Sequence, residues 1–470
     1  MRAPTHLPNG KTTMHTLLRT AAVVVAALAF AGCADDLMIP DYNNPSLEEL
    51  QQNPTPAAVA AAATGLLVGG RDEIDDRNGY VSLLGILGRE SYNFDGADPR
   101  FVTEMLEGQL NPSSPAFGGN LWSERYRNIR TGTTILDALS LVPGWSDAEK
   151  SATAGFVRTI QAHELLLVVN SHDANGAVVD FDRAPDAEPA PIVGRDAALA
   201  AVAALLDQAD ADLAAGGSDF PFPLSSGFAG FNTPATFRAF NRALKARVEV
   251  YRGNFAAALT ALDGSFIVRD AAQLDLGVYH TFSTGSGDNL NELHDPGDSP
   301  DILAHPALVT EAEQRANGDP DLRVQRKIRA IPTPRTVRNI TTGYAFLIYA
   351  DLSTPIPYIR NEELILLRAE ANIGLGNTGP AREDLDFIRT VSGGLPALAQ
   401  ASDATITELL RQKRYSLMFE GGHSWIDFRR YGRLDDLPLD RPNHTRNAAF
   451  PIPEAECLAR GQDVCSAAGG

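Results

Sequence analysis

Phe419–Glu420–Gly421–Gly422–His423–Ser424–Trp425–Ile426–Asp427–Phe428–Arg429–Arg430–Tyr431–Gly432, followed after a gap by Phe450–Pro451–Ile452–Pro453 and Glu456, gathers an acid, a Gly-Gly break, an aromatic, a second acid and two adjacent arginines. Glu420 and Asp427 supply the two carboxylates that glycoside hydrolysis uses. The arginines argue against that role, because neighbouring cations lower carboxyl pKa values and hold both groups ionised. That suits ion pairing better than proton donation. His423 and Asp427, four residues apart, would share a helix face, but no third ligand at fixed spacing and no H-E-x-x-H accompanies them. Trp425 reads as a buried anchor rather than a sugar platform.

Upstream of this stretch three helices are expected. Asn361–Gly374 places Leu364, Leu367, Ala371 and Leu375 on one face, with Gly376 as a stop. Pro380 opens a second, with Ala381, Leu385 and Ile388 inward as far as Gly393–Gly394. Thr405 with Glu408 forms a capping-box pattern for the third, whose apolar side carries Ile406, Leu409, Leu410, Leu417 and Phe419. Nearer the N-terminus the three-and-four spacing of apolar residues predicts helices at Ala57–Val68, Leu121–Val142, Asp147–Asn170, Arg195–Ala215, Pro234–Tyr251 and Phe255–Leu262. The Phe237–Leu262 pair, turning at Arg252–Gly253–Asn254, looks like one tetratricopeptide-type (TPR-like) hairpin, although no fixed 34-residue period is present. Between Gly264 and Pro357 the helical pattern fades into Gly, Asp, Pro, Ser and Thr, as in Ser283–Thr284–Gly285–Ser286–Gly287–Asp288. Long irregular segments in a folded chain are usually functional or disordered.

The order of these motifs resembles the SusD/RagB family of surface lipoproteins. Ile359–Arg360 with Glu363, Arg368–Ala369–Glu370–Ala371, Ile388–Arg389, Arg411 onward and the closing Glu420–Arg430 segment follow the family's sequence of motifs. Gly318–Asp319–Pro320–Asp321–Leu322–Arg323 resembles its D-P-R turn. The chain departs from common versions where Gln412 and Ser416 replace glutamates, and Glu420 to Asp427 is one residue longer. The resemblance implies a mainly α, SusD-like fold of TPR-like helical hairpins with a long irregular, loop-rich region. It also implies that Glu370, Glu420, Trp425, Asp427, Arg429 and Arg430 brace the last helix as a structural motif. The implied partner is a SusC-like TonB-dependent transporter, with a glycan or another nutrient as ligand.

The N-terminus reads as a processing segment. Arg2, Lys11 and Arg19 precede an apolar run from Ala21 to Ala31, shorter than the roughly 20 residues a spanning helix needs. Phe30–Ala31–Gly32–Cys33 resembles a bacterial lipobox, making Cys33 the expected lipidation site; a secretory signal cut without lipidation is the rival reading. Two or three acyl chains would anchor the chain durably. Ala34 and then Asp35–Asp36 point to the outer membrane, on the cell surface. The expected organisation is a signal peptide over 1–32, a flexible tether over 33–56 and one SusD-like domain over 57–470. That domain divides into a helical scaffold (57–262), a loop-rich region (263–357) and C-terminal helices (358–470).

A net charge of −19 in 470 residues argues against nucleic acid or anionic lipid as a partner. Of the three cysteines, Cys457 and Cys465 remain as a disulfide pair if Cys33 is acylated. No P-loop, Rossmann fingerprint or CxxC is present, and Gly285–Ser286–Gly287 lacks the strand–helix frame of a hydrolase elbow. The expectation is therefore no enzyme, no catalytic residue, no metal and no cofactor. Sugar recognition calls for aromatic faces with amides, carboxylates or arginines beside them. Tyr92, Asn93, Phe94, Asp95 and Arg100 form one such cluster, and Tyr279, His280 and Phe282 a second. Tyr92 and Phe94 as core plugs, and Asp98–Pro99 as a helix start, are the structural alternatives. The competing functions are a TPR-like lipoprotein scaffold for a peptide or protein partner, and a surface glycoside hydrolase.

Overall fold

Helices of the expected positions form a chain of packed neighbours in the computed structural model, which describes residues 47–113, 117, 119–184 and 186–461. The expected signal peptide, Cys33, most of the tether and Cys465 lie outside the described residues. The last part of the tether does not: Leu47–Gln52 is a helix (α1) with Leu50 buried. Its Leu-Glu-Glu-Leu-Gln-Gln sequence consists of good helix formers, and Pro54 ends it.

The scaffold comprises α2 (Pro56–Gly69), α3 (Tyr80–Leu87), α4 (Arg100–Thr103), α5 (Asn120–Ala138), α6 (Asp147–His172), α7 (Arg195–Ala214), α8 (Pro234–Tyr251) and α9 (Phe255–Asp263). Caps set several of the starts. Thr55 accepts the Ala58 amide, Ser146 and Glu149 form a reciprocal capping box, and Thr233 accepts the Thr236 amide. Helix α6 packs on α5 and α7, α8 on α7 and α9, and their shared faces bury a core that includes Phe156, Leu199, Phe237 and Leu244. The chain of neighbours continues from α9 to α12 (Asn361–Gly374), and from α12 to α13 (Thr378–Phe387) and α14 (Ile406–Ser416). Leu375 falls beyond the end of α12 and is exposed rather than inward. Helices α15 (His423–Arg430) and α16 (Glu454–Arg460) follow.

The region expected to be irregular carries ordered strands. A four-stranded antiparallel sheet runs in the order β1 (Ser91–Asn93), β5 (Ile302–Ala304), β7 (Ile340–Phe346), β6 (Ile328–Val337), and β4 (Gly277–His280) pairs with β8 (Ile356–Arg360). Strands β2 (Ala177–Val178) and β3 (Ile192–Val193) form a separate short pair. The hairpin β6–β7 turns through Arg338 and Asn339, both at positive φ (49° and 62°), the conformation of a tight two-residue hairpin loop. Pro332 and Pro334 fit because β6 is an edge strand. Short helices α10 (Ala307–Thr310) and α11 (Leu322–Lys327) complete this side. A second core joins the sheet to α3 and α15 through Leu84, Tyr92, Leu303, Phe419 and Trp425. The architecture is mainly α, with sixteen α-helices among the described residues.

Candidate functional site

The residues of the C-terminal stretch fold into a buried charge network. Glu370 on α12 meets Lys413 of α14 at 2.9 Å and Arg430 of α15 at 2.6 Å, and accepts the Tyr431 hydroxyl at 2.8 Å. Asp427 meets the same two cations at 2.7 and 2.6 Å. Burial alone would raise the Glu370 pKa, but Arg430 and Lys413 outweigh it and hold the carboxyl down at about 2. Glu420 is lowered in the same way: Arg360 and Lys327 overcome its desolvation, bonding it at 2.8 Å each. Trp425 is fully buried, donates its indole N–H to the Asn447 carbonyl at 2.9 Å, and carries the Arg429 guanidinium over its ring at 4.2 Å. Ionised, paired carboxylates are poor proton donors. This network clamps α12, α14 and α15 together.

The departures at Gln412 and Ser416 have a local explanation. Arg323, fully buried, pairs with Asp321 at 2.5 Å and donates to Gln412 Oε1 at 2.7 Å and Ser416 Oγ at 3.0 Å. One carboxylate from the 318–323 turn neutralises the arginine, so neutral acceptors complete its shell.

Most of the aromatic groups singled out in the sequence are core residues. Tyr92 is 1% exposed, donates its hydroxyl to Asp440 at 2.5 Å and stacks on Phe94, itself 1% exposed. Neither has a ring face to offer a ligand, which corrects the expectation for both. Asn93, also buried, donates to the Arg77 carbonyl. Asp95 caps the Ala97 amide at 2.8 Å, and Arg100 pairs with Asp98 at 2.6 Å while covering the Phe117 ring. His280 is buried and stacked on Tyr358, centroids 3.6 Å apart, and Phe282 is buried under the Arg71 guanidinium. Of the eight residues, Tyr279 and His280 line a surface pocket, and Tyr279 alone of these two is partly exposed.

That pocket, about 240 Å³, lies between the C-terminal half of α2 (Thr64, Leu67, Val68), the Pro223–Ser225 loop and the end of β4. Its lining is predominantly apolar, with Arg71 and Asp288 at one side. Beyond Asp288 opens a cleft of about 580 Å³ formed by the turn after α2, by α5 and by the Asp288–Glu292 loop. Asp288 lines both hollows. Arg71 fixes it there with an ion pair at 2.6 Å, while donating to the Thr281 carbonyl at 2.6 Å. The larger cleft is acidic: Asp72, Glu73, Asp75, Asp76, Glu124 and Glu292 join Asp288, against Arg127. Burial, with Asp76 second, pushes Glu73 up to about 7; burial likewise pushes Asp75 up to about 7. The turn carrying them is tight, with Glu73 at φ 59°. A Cβ on Gly79 would stand 2.5 Å from the Glu73 carbonyl oxygen, so this close approach requires glycine.

Sequence reasoning passed over Arg71 and the Asp72–Asp76 run. The signal available was a run of acids directly after a helix stop; what it lacked was the partner loop, more than 200 residues away. Among the described residues no group of three His, Cys, Asp or Glu is arranged to hold a metal ion, and no helix is long and apolar enough to cross a membrane. Cys457 is buried and disulfide-bonded; the other two cysteines lie outside the described residues.

Fold and clefts define a helical-hairpin protein with a two-lobed surface groove and a charge-clamped C-terminal bundle. Residues 349–456 match the family model described as the SusD family. Solved structures agree in fold over most of the chain. A SusD superfamily protein from Bacteroides vulgatus aligns with a TM-score of 0.66 at 14% identity, covering 87% of this chain and 98% of that one. A laminarin-binding SusD-like protein gives 0.62 at 17% identity, covering 85% and 97%. Surface glycan-binding protein A from Bacteroides thetaiotaomicron, in complex with laminarihexaose, gives 0.62 at 14%, covering 86% and 98%. No curated protein sequence matches significantly. The fold is that of SusD-like proteins.

Proposed function

We propose that the protein is a cell-surface lipoprotein that captures a saccharide in the paired clefts and hands it to a SusC-like TonB-dependent transporter without breaking a bond. The observation that carries this reading is the junction at Asp288, where an apolar pocket and a polar cleft meet on a SusD-type scaffold. A sugar ring needs both surfaces: an apolar wall for its C–H face and fixed polar groups for its hydroxyls. Val68, Leu67 and Tyr279 offer the first, Arg71 and the carboxyls the second. Two proteins of the same fold are described as laminarin-binding and as a complex with laminarihexaose, which supports a saccharide over a peptide.

Acylation of Cys33 after removal of residues 1–32 anchors the protein to the outer membrane, and a Cys457–Cys465 disulfide closes the C-terminus. The folded unit that begins at Leu47 presents the clefts to cargo, with no catalytic group required. Affinity electrophoresis against a panel of polysaccharides tests the binding. Retardation by at least one glycan is expected, weakened at least about tenfold in Arg71→Ala and Tyr279→Ala; such deletions in binding centres commonly cost over 1 kcal/mol. Gentle detergent extraction of native membranes should recover the protein with a β-barrel partner, and recovery of free monomer alone would count against delivery.

A further inference from the structure

The charge arrangement of the clefts restricts the saccharide, on the reading that they are the ligand site. Carboxyls converge on the polar lobe from three separate segments: the Asp72–Asp76 turn, Glu124 of α5, and Asp288 with Glu292 from the facing loop. Among the described residues, Arg127 is the basic residue lining that lobe, and it is paired with Glu124. On the apolar side Arg71 is already engaged by Asp288 and the Thr281 carbonyl. Both guanidiniums at this groove thus already face a carboxylate of the protein. Acceptors, by contrast, are in surplus: seven carboxyls line the polar lobe against the Arg127 guanidinium.

We propose that the groove selects uncharged saccharides and excludes uronate-bearing, sulfated or phosphorylated ones. An ionised carboxylate only accepts hydrogen bonds. Sugar hydroxyls are donors and satisfy it; a uronate or sulfate brings further acceptors and a like charge. Juxtaposed like charges are strongly disfavoured and suppress wrong partners. The apolar lobe does not discriminate, since neutral and acidic sugars share the same C–H faces. Selection therefore falls on the polar lobe.

The test uses the full mature chain and a matched panel in EDTA: laminarin, dextran and galactomannan against polygalacturonate, hyaluronate and dextran sulfate, at low and high salt. The tightest neutral glycan is expected to bind at least about tenfold more strongly than any acidic one at low salt, with the gap narrowing as salt screens the carboxylates. In Asp72→Asn/Glu292→Gln, acidic glycans should gain affinity relative to neutral ones. Acidic glycans binding best at low salt would overturn the selection while leaving saccharide capture intact. An unchanged preference in the double variant would overturn it too. Binding of acidic glycans restored by calcium would instead assign the lobe to a cation. Failure of every glycan, neutral and acidic, would overturn the saccharide reading itself, and the selection with it.

Discussion

Lys413 sits between two carboxylates, Glu370 at 2.9 Å and Asp427 at 2.7 Å, with its side chain 2% exposed. Removing one member of a buried ionic cluster leaves charge behind in a medium that solvates it poorly, which costs far more than the pair contributes. Lys413→Met keeps the bulk and removes the ammonium, so Arg430 alone faces both acids. The expected loss is about 3–5 kcal/mol, read as a lower urea midpoint with an unchanged slope. The pH dependence of stability follows from the same groups. Glu362 and Glu370 are held at about 2 against 4.5 when unfolded. Their contribution is complete above about pH 5 and disappears as pH falls through that interval. Asp75 runs the other way. Its pKa is raised to about 7 from 3.8, first by burial, so the folded state binds the proton more tightly and stability is lost as pH rises from about 4 to about 7. Asp75→Asn retains an acceptor for the Glu292 amide and cannot ionise. Its Tm should exceed the parent's at pH 8, and the advantage should vanish at pH 4. An advantage independent of pH would show that Asp75 ionises without penalty.

At the level of elements, legibility followed the range of the interaction. Helices α6, α7 and α8 were read from local periodicity, because an amphipathic stripe is complete within one segment. The Thr405 cap is half as expected: it accepts the Glu408 amide at 3.2 Å, but the Glu408 carboxylate turns to Arg389 and to Gln412 at 2.8 Å. A tertiary cation outcompeted the backbone. The sheet was missed although β6–β7 carried a local signal, β-branched residues around Arg338–Asn339. The two prolines and the surrounding glycine-rich text masked it. Strands β1 and β5 are three residues each and pair with each other across some 200 residues, which no local pattern encodes. The clefts suffer the same limit: Arg71 and Asp288 become a unit only after folding. Gly422 shows where a local reading was sufficient. It starts α15 in the left-handed region, φ 73°, and a Cβ there would stand 2.3 Å from Leu84 Cβ. Backbone strain of roughly 1–2 kcal/mol adds to overpacking of about 1–3 kcal/mol. Gly422→Ala should therefore destabilise by about 2–5 kcal/mol in chemical denaturation, with Gly421→Ala much milder, because a Cβ there would meet the His423 ring at 3.6 Å, an ordinary contact.

For the whole molecule, the groove draws its walls from α2, the turn after it, α5, the Pro223–Ser225 loop and the Asp288–Glu292 loop. A ligand lying across these parts binds only when all are in place, so it binds the folded state and not the unfolded chain. Mass action then raises stability by RT ln(1 + [L]/Kd), about 2.7 kcal/mol at a hundredfold excess over Kd. For a chain of this length such a gain moves Tm by only a few degrees, but the rise should continue logarithmically with ligand rather than saturate. Tyr279→Ala separates binding from folding. The ring is partly exposed and its hydroxyl is tied to the nearby Asp275 carbonyl, so the unliganded Tm should stay close to the parent's while the ligand-induced rise is reduced. Tyr92→Ala should do the opposite, lowering the unliganded Tm through a buried cavity while retaining a shift at saturating ligand, because its ring lies in the core of the sheet and not in the groove. Loss of the ligand shift in Tyr92→Ala with the fold intact would move the binding site to the sheet side of the molecule.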